Sequence, residues 1–310
     1  KAFIVNNIKE INTNYETIAQ WLNAAVEIDG TGSLKNPVVV THSEYRNYKQ
    51  YIFIGDETGG LCLISNDKID SIKTGHVLTG IAGKLDFSDT KKTPQLSVPS
   101  NIQVVDSNKT IEPVVVTIAE LLEEENNAIN NGRPAIKYAN RLIKIKNVVK
   151  GTKWIGNNAR VYPLIQGEDT LAYATNTLSA YNTLFSTTTP MYLTGIVDFR
   201  CINSSNLYSI YPRSIDDLND QPVINPAPGA YFAKELELTI SCEDPSMTAI
   251  LYSFDPEIDP TVDGELYEGP ITINQDTTIW YAVEYGDRIS KLYEASYQLK
   301  TPEITATWSI

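Results

Sequence analysis

At 310 residues, 42% of them apolar and 20% charged, the chain is too long for one ordinary core, falls outside disordered compositions and matches two or three domains. The formal charge of −13 is concentrated, with 15 acidic against 4 basic residues between Gln221 and Ile310. No stretch supplies the Lys and Arg excess that a polyanion demands, so nucleic acid and anionic membrane surfaces are excluded as expected partners.

No apolar run approaches the roughly 20 residues of a spanning helix. The chain begins at Lys1 without Met, as expected after removal of a leader or trimming. Membrane contact is then expected only through an N-terminal lipid anchor lying outside this chain. Cys62, Cys201 and Cys242 are far apart, which fits neither a zinc pattern nor a disulfide framework, and they read as small core hydrophobes.

The first 220 residues contain a repeat. Thr17-Ile18-Ala19 before Trp21-Leu22 returns as Thr117-Ile118-Ala119 before Leu121-Leu122, and Leu78-Thr79-Gly80-Ile81 returns as Leu193-Thr194-Gly195-Ile196. Pro99 with Ile102 matches Pro212 with Ile215. Each threonine is positioned to cap a short helix. β-branched and aromatic runs follow at Val38 to Tyr45, Tyr51 to Gly55 and Gly60 to Ser65, then a brief helix over Asp67 to Lys73, then strands over Val77 to Asp86 and Gln95 to Val98. The second copy reads Leu142 to Val149, Ala159 to Ile165, Leu171 to Thr175, an intervening Leu178 to Phe185, then Tyr192 to Phe199 and Leu207 to Tyr211.

Three strands, a helix and two strands is the order of the OB-fold, a five-stranded, partly open barrel. With the leading Thr-Ile-Ala helix, residues 15 to 220 resemble the OB-like repeats of Gram-negative surface lipoproteins. Gly80 and Gly195 are expected to kink barrel strands.

The Pro- and Asn-rich segment Asn219 to Pro228 marks a boundary. Beyond it come alternating strands at Leu236 to Ile240, Ala249 to Ser253, Ile271 to Ile273, Thr277 to Val283 and Lys291 to Leu299, as in a β-sandwich. Pro228-Gly229-Ala230-Tyr231, Ile250-Leu251-Tyr252 before Asp255, Asp259-Pro260-Thr261, Tyr267 before Pro270-Ile271-Thr272-Ile273, and Thr278-Ile279 before Ala282 are similar to the immunoglobulin-like module that closes chitobiases and β-hexosaminidases. Asp255-Pro256-Glu257 departs from that family's usual Asp-Gly-Ser/Thr turn. The resemblance implies an accessory, non-catalytic domain of exported bacterial proteins. The expected fold is therefore mainly β: OB-fold-like five-stranded barrels with short helices over 1–109 and 110–220, an immunoglobulin- or fibronectin-III-like sandwich over 221–300, and a tail or extra strand over 301–310.

No nucleophile elbow, phosphate-cradling loop or His-Glu-x-x-His segment occurs. His42 and His76 stand at unrelated places in one copy, so no enzymatic activity and no cofactor are expected. Glu123-Glu124-Glu125 reads as the wet face of a helix end. Asp255, Glu257, Asp259 and Asp263 form a weak calcium candidate that lacks the glycine and terminal glutamate of an EF-hand.

The 18 tyrosines and 4 tryptophans fit glycan recognition, in which sugar C–H faces stack on aromatic rings. With Ile52 and Ile54 inward, period-two geometry turns Tyr51 and Phe53 out beside Tyr45 and Tyr48. Trp154 is either a loop anchor or a ligand platform, and Trp280 reads as sandwich core. The expected role is an exported binding protein, at the cell surface or in the periplasm, that recognises a carbohydrate through the barrels. The alternatives are an adhesion or assembly protein that binds another envelope protein, or an accessory region of a larger glycoside hydrolase. Asp70-Ser71-Ile72 and Asp169-Thr170-Leu171 are similar to O-glycan acceptor sites of such surface proteins.

Overall fold

A computed structural model describes residues 13–27, 30–87, 94–131, 134–151, 161–174, 187–202 and 205–300. The fold is mainly β, and its hydrophobic cores follow one another along the chain.

The second barrel shows the plan most clearly. Its strands are β11 (Leu142–Lys150), β12 (Val161–Gln166), β13 (Asp169–Ala174), β14 (Met191–Ile202) and β15 (Ser205–Tyr211). They are ordered β11-β12-β13-β15-β14, and β14 pairs back onto β11 to close the ring. This is the OB connectivity, with β13 and β15 parallel and the other neighbours antiparallel. Alternation sends Leu164, Leu171, Leu193 and Ile210 into one core with Ile118 and Leu121 of helix α2 (Ile118–Asn130). Each fully buried aliphatic side chain contributes about 1.5–3 kcal/mol.

The first barrel repeats the order with β3 (Val38–Arg46), β4 (Lys49–Gly55) and β5 (Gly60–Ser65), but its last two strands are broken. Strand four is β6 (Val77–Thr79) and β7 (Ala82–Lys84), divided at Gly80, whose φ of +78° an L-residue rarely adopts. Strand five divides around Pro99 into β8 (Gln95–Ser97), parallel to β5, and β9 (Gln103–Asp106), antiparallel to β6. The short β1 (Asn14–Tyr15) pairs with β2 (Thr31–Leu34), which lies beside β7, β10 (Val114–Val115) runs parallel to β11, and helix α1 (Ile18–Glu27) supplies Ile18, Trp21 and Leu22 to the core.

The helix expected over Asp67–Lys73 is absent, and residues 66–76 are turns. Strand side chains take the backbone groups: Gln50 Oε1 accepts from Ile69 N at 3.2 Å, and Ser43 Oγ donates to Ile72 O at 2.9 Å. The corresponding expectation over Leu178–Phe185 lies outside the described residues, as does the tail 301–310.

The C-terminal module is a two-layer sandwich. β16 (Val223–Asn225), β18 (Leu236–Ser241) and β21 (Ile271–Ile273) form one sheet. β17 (Gly229–Tyr231), β24 (Tyr293–Leu299), β22 (Thr277–Tyr285), β19 (Ala249–Ser253) and β20 (Glu265–Leu266) form the other, with β23 (Arg288–Ile289) beside β22. Leu238, Ile240, Ile279, Tyr281, Val283 and Tyr297 fill the space between. Trp280, expected in the core, is only half-buried, because Ile279 and Tyr281 occupy the inward positions on either side of it.

Candidate functional site

The face of β4 that turns away from the first core is not open. Ile52 and Ile54 point inward, and Tyr51 and Phe53 point outward as period two requires, but the second barrel covers them. Tyr51, Phe53 and Cys62 pack on Leu142 and Ile196, leaving Tyr51 8% and Phe53 2% exposed. Their expected role as ligand contacts is corrected accordingly: they join the barrels.

A polar ring surrounds this apolar contact. Arg46 lies 3.1 Å from Glu44 and 3.5 Å from Asp198, with its guanidinium 4.5 Å from the Tyr51 ring centre and 4.9 Å from that of Tyr211. Tyr211 donates to Glu44 at 2.8 Å. Burial pushes the Glu44 carboxyl up, but nearby His42 with its Nε2 at 3.9 Å, Arg46 and Tyr211 outweigh it and hold the group below its ordinary value. Burial and the Glu44 charge push the Tyr211 hydroxyl up to about 12. His42 stacks on Phe53 with ring centres 6.2 Å apart. Arg213 donates to Thr41 O at 3.1 Å, Asn140 to Pro94 O at 2.8 Å and Arg141 to Glu57 O at 2.8 Å. At Gly60 a Cβ would lie 2.4 Å from the Asn140 carbonyl, so the two backbones nearly touch.

Tyr45 and Tyr48 remain accessible, at 43% and 87% exposure. Arg46 and Lys49 pair across a two-residue turn, and its residues Asn47 and Tyr48 have φ of 49° and 60°. That is the left-handed geometry that tight hairpins favour. Trp154 lies outside the described residues.

A cleft of about 680 Å³ opens where both barrels, the Lys109–Pro113 connection and the sandwich meet. Its charges are largely matched within the chain: Lys144 with Asp220, Lys146 with Glu243 at 3.0 Å, and Arg213 with the buried Asp217 at 2.8 Å. Beside it Asp244 accepts from Tyr192 N at 3.0 Å and Asp220 N at 2.8 Å, fastening the sandwich to the second barrel.

The remaining candidates separate. The Asp255, Glu257, Asp259 and Asp263 set forms no metal-binding group among the described residues. Asp255 accepts from Glu257 N at 2.9 Å and Asp259 from Thr261 N at 2.9 Å, so two of the four serve their own turns. Of the three glutamates expected on a wet helix face, Glu125 is buried and accepts from Tyr208 N at 3.3 Å. The i, i+4, i+7 spacing of Leu121, Glu125 and Ala128 was the signal for that inward face. His76 Nδ1 accepts from Lys73 N at 3.3 Å. Ser71 and Thr170 are exposed, each before a buried Ile72 or Leu171.

No protein-family model matches the chain, and no curated protein matches it. Among solved structures, the chain is similar to the crystal structure of the Ifi202 HINa domain in complex with 20-bp double-stranded DNA. The two are 10% identical, with 56% of this chain and 90% of that chain covered and a TM-score of 0.29. A likeness this weak says nothing of what this chain binds. It does stand against the expected exclusion of nucleic acid, which is corrected.

Proposed function

We propose that this chain is a non-catalytic exported binding protein in which the joined barrels form a frame and the tip of the β3–β4 hairpin contacts a carbohydrate. The observation that carries this reading is Tyr48. A bulky L-residue in the left-handed region costs on the order of 1 kcal/mol, and tight hairpins relieve that cost with glycine. At 87% exposure Tyr48 recovers none of it by burial. A side chain that opposes its own backbone and packs on almost nothing is suited to a contact outside the chain. Tyr45, on the same hairpin, adds a second ring, and two phenol faces suit the C–H surface of a pyranose. Export is supported by the sandwich's resemblance to accessory modules of exported enzymes and by the accessible hydroxyls of Ser71 and Thr170.

A glycan array probed with the wild-type chain and with Tyr48→Gly tests the reading. The expected result is a defined glycan signal that Tyr48→Gly lowers at least about tenfold, with thermal stability equal to or above wild type. An empty array, or a signal indifferent to Tyr48→Gly, refutes it.

A further inference from the structure

The connection from β19 to β20 closes on itself, pairing Leu251 with Leu266 and Tyr252 with Glu265. Loops of this length whose ends meet are compact. Pro260 is buried within it, and the short helix α3 (Pro260–Asp263) is capped by Asp259. Its apolar side chains nevertheless face solvent: Phe254 is 41% exposed, Ile258 40%, Val262 73% and the following Leu266 56%. Single exposed apolar residues need no explanation, whereas several on one small loop mark a contact surface. Phe254, edge-on to Tyr252 at 5.5 Å, also forms one wall of a hollow of about 360 Å³ whose other wall is the turn from Thr272 to Thr278. Such a socket is where an interface seats an anchor side chain.

The electrostatics specify the occupant. Between Lys234 and Arg288 the chain has no Lys, Arg or His. Asp255, Glu257, Asp259 and Asp263 lie in the same loop, with Glu265 and Glu268 directly after it, and none of them is in an ion pair among the described residues. We infer that this surface docks a polypeptide segment of another protein, with an aromatic or aliphatic anchor in the hollow beside Phe254 and flanking Lys or Arg over the carboxylates. A second sandwich is a poor occupant, because it would bring carboxylates against carboxylates. This site is separate from the hairpin tip and does not depend on the carbohydrate reading.

A random-peptide display library panned against the full chain tests the inference. Selected peptides are expected to combine an aromatic or large aliphatic residue with Lys or Arg. A synthetic copy of the leading peptide is expected to bind at least about tenfold more weakly to Phe254→Ala and to Val262→Lys, and severalfold more weakly as salt rises from about 50 to 300 mM. Val262 is 73% exposed in the last turn of α3, where a cation is well placed, so Val262→Lys keeps the fold while removing the apolar contact and repelling a basic peptide. Absence of enrichment, peptides without basic residues, or affinity unchanged in both variants would overturn the proposal. Sedimentation showing self-association that Val262→Lys abolishes would also overturn it, by making the occupant a second copy.

Discussion

Glu44 and Tyr48 lie four residues apart and carry opposite burdens. Glu44 is enclosed between the barrels with Arg46 and Tyr211 against it, and its folded-state pKa lies below the ordinary 4.5. A carboxylate depressed in this way contributes stability above its unfolded value and loses that contribution as pH falls through its folded value. Urea unfolding of the wild type is therefore expected to weaken more steeply below about pH 4.5 than that of Glu44→Gln, which lacks this titration. An identical acid dependence in the two proteins would place the sensitivity elsewhere. For Tyr48→Gly, calorimetry should show stability unchanged or raised by up to about 1 kcal/mol, since relief of the left-handed φ offsets glycine's extra unfolded-state freedom. At this scale alternation along β4 was legible, and it correctly separated Ile52 and Ile54 from Tyr51 and Phe53. What the outward pair would face was not, because period two gives a direction and nothing about what stands there.

The helices and strands of the two copies use the same devices with different residues. In α2, Thr117 Oγ1 accepts from Glu120 N at 3.2 Å while Glu120 accepts from Thr117 N at 2.7 Å, a reciprocal cap. Thr117→Ala should lower the unfolding free energy by about 1 kcal/mol, measured by urea titration. Ile18 N is held by Asp56, from the turn joining the second and third strands of its barrel, and Ile118 N by Gln166, the last residue of β12 before the matching turn. The matched Thr-Ile-Ala pairs announced the helices, but a shared anchor is hard to see when one copy uses a carboxylate and the other an amide. The matched glycines behave similarly. Gly80 ends a broken strand, whereas Gly195 lies within the continuous β14, where a Cβ would be 2.6 Å from Ile210 Cγ2 and 2.8 Å from Tyr211 O. Gly195→Ala is expected to cost about 1–3 kcal/mol by forcing β14 from β15, with the loss read in denaturant unfolding. The helix expected over Asp67–Lys73 marks where local reading misled: side chains of neighbouring strands, Gln50 and Ser43, bond the backbone of Ile69 and Ile72 instead.

Across the whole molecule, the shared plan of the two barrels was legible and the joint between them was not, because interface partners lie far apart in sequence and carry no periodic signal. Tyr211 and Glu44 meet across 167 positions. The joint can be tested at Gly60, where a methyl group would meet the Asn140 backbone. Gly60→Ala is expected to loosen the barrels and raise the labelling rate of Cys62, 2% exposed in the intact protein, when modification at that residue is followed by mass spectrometry. An unchanged rate would mean that the contact yields without opening. This near-touch of main chains also restricts how such proteins diversify by recombination. Swapping one barrel alone for a foreign one would set an unmatched surface against Gly60 or Asn140, so the two barrels are constrained to change together.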